Sequence, residues 1–98
     1  MAKVLFIISY DIKSDKRDEY LQLMVKMKQH FQNIQGKDYN VFEPKGKKNF
    51  FSEVFTCKSL QEYDELEDNQ DEMTQEFIEQ LESIVKGKMS YQTLVELE

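Results

Sequence analysis

The chain has 98 residues, 40 % of them apolar and 33 % charged, which is typical of one folded domain and excludes a disordered chain. Its formal net charge is -6 and its one basic run, at residues 44–48, is short, so nucleic acid is excluded as the main partner. The apolar run at residues 4–8 is too short for a signal peptide and no stretch is long enough to span a membrane, so we expect a cytoplasmic protein.

Residues 4–10 form the first predicted strand. Both alternating faces of this segment are apolar apart from Ser9, a pattern typical of a strand covered on both sides of its sheet. A helix follows, with Ser14 or Asp15 as its predicted N-cap and Gly36 as the residue that ends it. Its predicted buried face is a stripe of apolar side chains at helical spacing: Tyr20, Met24, Met27, Phe31 and Ile34, with Leu21 and Val25 beside them.

Two further strands, residues 39–43 and 49–57, are predicted to form a hairpin. The loop between them begins with Pro44, which cannot continue a ladder, and contains Gly46, which suits a turn. Along the second of these strands two sets of side chains alternate: Phe51, Glu53, Phe55 and Cys57 on one face, and Phe50, Ser52, Val54 and Thr56 on the other. Both faces of that strand therefore carry apolar groups.

A short helix is predicted directly after this hairpin. Ser59 and Glu62 have the spacing of a capping box, in which the two side chains satisfy backbone N–H groups that the first helical turn leaves without partners. The residues predicted to face inward over the next two turns are Leu60, Tyr63 and Leu66.

The apolar register lapses at residues 68–71, which predicts a break before a longer helix that ends at Gly87. The apolar stripe of this longer helix comprises Met73, Phe77, Leu81 and Ile84, with Ile78 and Val85 beside them. A last strand is predicted over residues 89–97, where apolar and polar positions alternate.

The predicted elements follow the order βαββαβ, which indicates an α+β, ferredoxin-like fold with a four-stranded antiparallel sheet and helices on one face. Residues 1–98 are expected to form this single domain. The first, third and fourth strands are apolar on both sides, whereas the helices can cover only one face, and soluble monomers rarely expose a large apolar patch. We therefore expect two copies to associate as a homodimer through the second sheet face.

The strand-to-helix passage SEVFTCKSLQEYDEL, residues 52–66, resembles the corresponding passage of the dimeric α/β-barrel superfamily. This superfamily includes the antibiotic-biosynthesis-type monooxygenases and related small proteins of unknown function. Its members tend to carry a glutamate in an aromatic-rich third strand, followed by a Ser-x-x-Glu/Ala-Tyr/Phe helix start. The matching residues here are Glu53, Phe55, Ser59, Glu62 and Tyr63. The resemblance, which extends over essentially the whole chain, implies a homodimeric α/β barrel with a ligand cleft between each sheet and its helices.

Some members of this superfamily oxygenate quinol or polyphenol substrates without metal or flavin, and others bind or degrade haem. The chain departs from the haem-degrading branch because it has no tryptophan, and because its one histidine, His30, lies late in the first helix. Tyr63 is the one other candidate for an axial ligand in the expected region. These departures argue against haem use, so no cofactor is expected. Other members have no known reaction, and the resemblance therefore leaves open whether the chain is an enzyme.

Metal and nucleotide sites are not expected from the residues themselves. Cys57 is the only cysteine, and the three or four ligands that a zinc site needs are absent. The three glycines lie at element ends, so the chain has no glycine-rich phosphate loop. The acidic residues between positions 59 and 85 are interleaved with the apolar stripe, which indicates a solvated helix face.

Glu53 and His30 are the candidate catalytic residues. Glu53 lies between Phe51 and Phe55 on its strand face, where desolvation would raise the pKa of the carboxyl group and suit it to proton abstraction from a phenol. The alternative is a dimer-interface carboxylate paired with a lysine or a tyrosine hydroxyl. His30 is a general-base candidate because histidine titrates near neutrality, and the alternative is a partly exposed structural histidine.

Tyr10, Tyr39 and Tyr91 are the candidate ligand-binding residues, because tyrosine can both stack on and hydrogen-bond to an aromatic ligand. Each is alternatively a core residue with its hydroxyl group at the rim. Two functions stay open: a cofactor-independent monooxygenase acting on an aromatic or quinol substrate, and a non-catalytic dimeric ligand-binding or accessory domain. The second would be favoured by a cleft filled with core side chains, namely Met24, Met27, Phe77 and Leu81.

Overall fold

Four antiparallel strands form the sheet on which every other element is placed. The structure, a computed structural model, describes residues 2–68 and 71–97. The strands are β1 (Val4–Ile12), β2 (Asp38–Phe42), β3 (Phe50–Cys57) and β4 (Val85–Val95), in the order β2-β3-β1-β4. This order is that of the predicted ferredoxin-like α+β fold, which the structure confirms.

The helices all lie on one face of this sheet. One 3₁₀ turn (Ser14–Lys16) leads into α1 (Arg17–Lys28), and the chain continues in π-helical turns over Gln29–Ile34. After β3 come α2 (Leu60–Asp68) and α3 (Glu72–Ile84). The two central strands are therefore covered by helices on one side, and their core side chains pack against α1 and α3.

The buried face of the first helix differs from the predicted stripe. Its buried side chains are Tyr20, Leu23, Met27, His30 and Phe31, whereas Val25 and Ile34 are exposed. The π-helical turns explain part of the change, because more residues per turn rotate the later side chains relative to a regular α-helix. The predicted N-caps, Ser14 or Asp15, are also wrong, because no side-chain capping hydrogen bond forms at the start of this helical segment. Gly36 ends the segment as predicted, with a φ of 65°.

The serine half of the predicted capping box at the start of α2 is confirmed, whereas Glu62 accepts from the residue before Ser59 and not from the Ser59 N–H. Ser59 Oγ accepts a hydrogen bond from the Glu62 N–H at 3.2 Å, and Glu62 Oε2 accepts one from the Lys58 N–H at 3.0 Å. Tyr63 is half-buried as predicted, whereas Leu60 is exposed and its predicted inward orientation is wrong. This cap explains why the chain passes from strand to helix within a few residues.

The predicted break includes residues 69 and 70, which lie outside the described residues. Asp71 is the N-cap of α3, since its side chain accepts a hydrogen bond from the Thr74 N–H at 2.8 Å. The helix ends at Ile84, before the predicted end, and β4 follows at once. Gly87, with a φ of 82°, lies where the pairing of β4 with β1 shifts register, so its conformational freedom serves a bulge and not a helix end.

The sheet face opposite the helices is uncovered and partly apolar. We call it the open face, and its apolar side chains are Leu5, Ile7, Phe42, Phe50, Val54 and Leu94. Phe42 is 58 % exposed on this face. The predicted two-sided apolar character of the sheet is therefore present in the structure.

An ion pair fastens the β2–β3 loop to the start of α1. Arg17 donates two hydrogen bonds to the Glu43 carboxylate, at 2.6 and 3.0 Å. Glu43 also accepts a hydrogen bond from the Asn49 N–H at 2.9 Å, and Asn49 has the positive φ of 68° that ends the loop. The hydrogen bonds from Arg17 and then from Asn49 lower the pKa of Glu43 to about 2.

We expect Glu43→Gln to change how stability depends on pH. A carboxyl group with a lowered pKa stabilises the fold at pH values above its unfolded-state pKa of 4.5. This contribution is lost as the pH falls through about 2. Urea unfolding should therefore find the variant less stable than the wild type at pH 7, with the difference shrinking below pH 4. The exposed Glu82→Gln on α3 is the control, and a difference that stays constant with pH would contradict the prediction.

Candidate functional site

Glu53 occupies the centre of the sheet on the side that faces the helices. It lies on β3, opposite Ile8 of β1 and Val41 of β2, and its exposed fraction is 4 %. On β3, the partner of Tyr10 is two residues before Glu53, and the partner of Tyr39 is two residues after Glu53. These diagonal positions on the same sheet face bring both phenol groups within reach of the carboxylate. Glu53 is therefore not part of the open face.

Two tyrosine hydroxyl groups satisfy the Glu53 carboxylate. Tyr10 donates to Oε2 at 2.7 Å, and Tyr39 donates to Oε1 at 2.7 Å. The Tyr20 hydroxyl of α1 lies 2.9 Å from the Tyr10 hydroxyl. Because Tyr10 uses its one proton on the carboxylate, Tyr20 is the donor of this last bond. The network thus joins three strands and the first helix through one buried carboxyl group.

Burial shifts the pKa of every member of this network upward. Desolvation raises the pKa of Glu53, while the hydrogen bonds from Tyr10 and Tyr39 act in the opposite direction. Desolvation is also the main cause that raises the pKa of each tyrosine. For Tyr10 and Tyr39 the negative charge of Glu53 is the next largest cause and raises the pKa further. The phenols are therefore neutral hydrogen-bond donors over the whole physiological range. The carboxyl group is the member whose protonation can change.

A cavity of about 490 Å³ lies between the sheet and helices α2 and α3, and Glu53 forms part of its wall. The lining is mostly apolar and aromatic, and it includes Phe6, Ile8, Met27, Phe31, Phe55, Phe77 and Leu81. Among the described lining residues the only charged ones are Glu53 and Lys37. Core side chains therefore line this space without filling it, and its size suits a small ligand.

The neutral polar groups on the cavity wall already have partners. The Thr74 hydroxyl donates to Asp71 at 2.8 Å, and the Tyr63 hydroxyl lies 3.0 Å from the Thr93 hydroxyl. Lys37 differs, since its Nζ lies over the rings of Phe31 and Phe55, 5.9 and 5.8 Å from the ring centroids.

His30 lies outside this cavity lining and is buried, not partly exposed. Its Nε2 is 3.0 Å from Asp71 Oδ2, and its ring packs edge-on against Phe31 and Phe77. The pKa of Asp71 lies well below its usual range. The main cause is its hydrogen bonds from the backbone and side chain of Thr74, and weaker hydrogen bonds from Gln35 and His30 add to the effect. His30 therefore ties the end of the first helical segment to the start of α3.

The three candidate ligand-binding tyrosines occupy different environments. Tyr10 and Tyr39 are buried behind Glu53 and are not part of the described cavity lining. Tyr91 is 65 % exposed, stacks on Phe6 and does line the cavity. The structure thus brings Tyr10, Tyr39 and Glu53 together, places Tyr91 at the cavity edge, and keeps His30 apart.

Sequence reasoning missed Lys37, Tyr20 and Asp71 as parts of this region. Helical spacing places Tyr20 in the apolar stripe, and nothing in that spacing indicates that its hydroxyl meets Tyr10. Lys37 follows the glycine that ends the helical segment, where a lysine is usually solvated. Asp71 carries the one usable signal, because an aspartate just before the start of an apolar stripe is typical of an N-cap.

Within residues 2–68 and 71–97 no group of three or more His, Cys, Asp or Glu side chains is arranged to hold a metal ion. Among the same residues no helix combines the length and apolar character needed to cross a membrane.

Several solved structures share this fold. A conserved protein from Methanosarcina mazei Go1 matches with a TM-score of 0.81 and 14% identity, over 96% of this chain and 92% of that chain. An antibiotic biosynthesis monooxygenase matches with a TM-score of 0.80 and 14% identity, over 100% of both chains. A mutant of SnoaB, a cofactor-independent oxygenase from Streptomyces nogalater, matches with a TM-score of 0.75 and 8% identity, over 98% of this chain and 94% of that chain.

No family model and no curated protein matches the chain. The structural matches nevertheless confirm the predicted resemblance to the antibiotic-biosynthesis-type monooxygenases at the level of the fold. Because the identities are this low, the activity of those proteins does not follow from the match.

We expect Tyr39→Phe to destabilise the protein in a pH-dependent way. Loss of the hydroxyl leaves Glu53 Oε1 without its donor and raises the pKa of Glu53 further. A carboxyl group with a raised folded-state pKa costs stability as the pH rises above its unfolded value, so the loss should reach roughly 1–3 kcal/mol at pH 8 and be smaller at pH 5.

Urea unfolding at the two pH values measures this effect. Tyr63→Phe removes a hydroxyl that contacts an exposed partner and should change the free energy of unfolding by less than about 0.5 kcal/mol. Equal destabilisation of Tyr39→Phe at pH 5 and pH 8 would contradict the assigned role of Glu53.

Proposed function

We propose that the protein is a cofactor-independent monooxygenase-like enzyme that acts on an aromatic or quinol substrate in the cavity between sheet and helices. The single observation that carries this proposal is the ionisable Glu53 on the wall of a mostly apolar space of about 490 Å³. Catalytic bases are commonly buried groups with a perturbed pKa beside a cavity of this kind. The fold shared with monooxygenases makes this reaction class the first to test.

In this proposal Glu53 is the general base. Each carboxylate oxygen accepts one tyrosine hydrogen bond and keeps a further lone pair with which to take a proton from a substrate hydroxyl. The raised pKa of Glu53 makes it a stronger base than an exposed carboxylate. Tyr10 and Tyr39 are positioning residues, because they act through the carboxylate and lie behind it.

Deprotonation converts a quinol into an electron-rich anion that molecular oxygen can oxidise. One oxygen atom enters the ring to give a hydroxyquinone, and the other leaves as water with two hydrogens from the substrate. The substrate itself supplies the electrons, so the proposed reaction needs no metal or flavin. Phe6, Phe55 and Tyr91 on the cavity wall would stack against an aromatic ring.

The second candidate is a non-catalytic ligand-binding or accessory domain. The observation in its favour is that both Glu53 oxygens already have donors, which is the arrangement expected of a purely structural buried carboxylate. His30 fits this reading as well, since its imidazole is engaged with Asp71 outside the cavity lining.

Oxygen uptake with a panel of quinols separates the two candidates. We expect turnover in the wild type and a loss of about 100-fold or more in kcat for Glu53→Gln, because general-base catalysis contributes about that much. The exposed Glu82→Gln should retain full activity. No turnover across the panel, or equal turnover in Glu53→Gln, would contradict the enzymatic proposal and leave the binding role.

We further propose that the protein forms a homodimer through the open face. Its apolar side chains lie on the side of the sheet that no described helix covers, and apolar patches of this kind mark interaction surfaces. Both partners would present the same patch, which suits a two-fold symmetric contact.

Sedimentation at micromolar concentration tests the dimer, with twice the monomer mass as the expected result. Val54→Lys places a charge in the open face and should shift the protein to the monomer, because a buried unpaired charge is costly. Val25→Lys makes the same substitution on the exposed side of α1 and should leave the mass unchanged. A wild-type protein that stays monomeric would contradict the proposed contact.

A further inference from the structure

We propose that the cavity selects a ligand with an anionic group, which Lys37 binds while the apolar body of the ligand lies among the aromatic side chains. This inference rests on the proposed function in requiring that the cavity takes a small molecule, and it adds the chemical class that the site prefers. Neither the fold nor Glu53 by itself indicates this preference.

Lys37 is held in place at a junction of two elements. Gly36, with a φ of 65°, turns the chain out of the first helical segment, and β2 begins directly after Lys37. The Lys37 N–H donates to the Phe31 carbonyl oxygen at 2.8 Å, which fixes the backbone at this point. A lysine on a fixed backbone loses less freedom when it binds a ligand than one on a mobile loop.

The ammonium group of Lys37 has rings as neighbours in place of a carboxylate. Its Nζ lies over Phe31 and Phe55, and both rings are also part of the cavity wall. Among the described residues no carboxylate oxygen forms a salt bridge with it. At almost 6 Å from each ring centroid, cation–π attraction replaces only part of the lost hydration.

Partial burial lowers the pKa of Lys37, while the negative charge of Asp71 opposes the shift. An anion brought in by a ligand would supply the charge-assisted hydrogen bond that this lysine lacks. The other polar groups of the wall are engaged with the protein, as described above for Thr74 and Tyr63. Lys37 is thus the described polar group of the lining that is best placed to discriminate between charged and neutral ligands.

The opposite charges of the wall also give the ligand an orientation. Glu53 repels an anion when ionised and accepts a hydroxyl proton, whereas Lys37 attracts an anion. A ligand with an acidic group and a separate hydroxyl group would therefore place the acid toward Lys37 and the hydroxyl toward Glu53. The preferred class is an apolar or aromatic molecule that carries one anionic group.

A matched pair of fluorescent dyes tests this preference. The probes are 8-anilino-1-naphthalenesulfonate and N-phenyl-1-naphthylamine, which have the same ring system with and without an anionic group. We expect Lys37→Met to weaken binding of the sulfonate dye by about tenfold or more and to change binding of the neutral dye by less than about twofold. Lys37→Arg keeps the charge and should retain the sulfonate affinity within about threefold.

Two controls locate the binding. Lys26→Met removes an exposed lysine of α1 that is not part of the cavity lining and should affect neither dye. Ile78→Trp adds volume to the cavity wall and should weaken both dyes. Circular dichroism checks that each variant is folded.

The outcomes separate this inference from the proposed function. The role of Lys37 would be overturned if Lys37→Met left the affinity for the sulfonate dye unchanged while Ile78→Trp still weakened binding of the neutral dye. That result would leave the ligand cavity intact. Equal loss of both dyes in Lys37→Met would also overturn the role of Lys37. Binding of neither dye to the wild type would overturn the inference together with the ligand cavity on which the proposed function depends.

Discussion

The buried carboxyl group of Glu53 is the constraint on which the centre of this protein depends. A carboxylate removed from water is costly unless hydrogen bonds replace its hydration, and here the replacements come from Tyr10 and Tyr39 on the two neighbouring strands. Tyr20 extends the same network to α1. One polar group thus links three strands and a helix, and any shift in strand register would move the phenols away from the oxygens that they serve.

The same arrangement explains how an ionisable group can stand beside an apolar space. The tyrosines satisfy Glu53 from behind, at diagonal positions of the sheet, so the carboxyl group can also form part of the cavity wall. Their own pKa values are raised by burial, which keeps them as donors and leaves the carboxyl group to change its protonation. The open space exists because α2 and α3 cover the sheet through Tyr63, Phe77 and Leu81 without closing over its fourth strand, where Tyr91 is exposed.

Much of the local structure follows from short-range rules. Ser59 starts a helix because its hydroxyl accepts from the Glu62 N–H in the first turn, and the alternation through residues 51–57 produces a strand with two distinct faces. The first helix shows where such rules stop. Its π-helical turns rotate the end of the stripe, so that Ile34 is exposed, and helical spacing alone carries no sign of that change. Likewise, local rules place Gly87 at a helix end, because glycine serves there as readily as in the bulge where it lies.

The sequence by itself determined the order of the elements, the antiparallel sheet with helices on one side and the apolar character of its second face, since alternation, capping and glycine placement are local signals. It also singled out Glu53, because a carboxyl group between two phenylalanines of one strand face is unusual. Only the tertiary structure decided that Glu53 faces the helices, that Tyr10 and Tyr39 donate to it while His30 contacts Asp71, and that Lys37 reaches the cavity. The physical reason is that these contacts join residues far apart in the chain, and their geometry is set by strand register and helix packing, which no local pattern encodes.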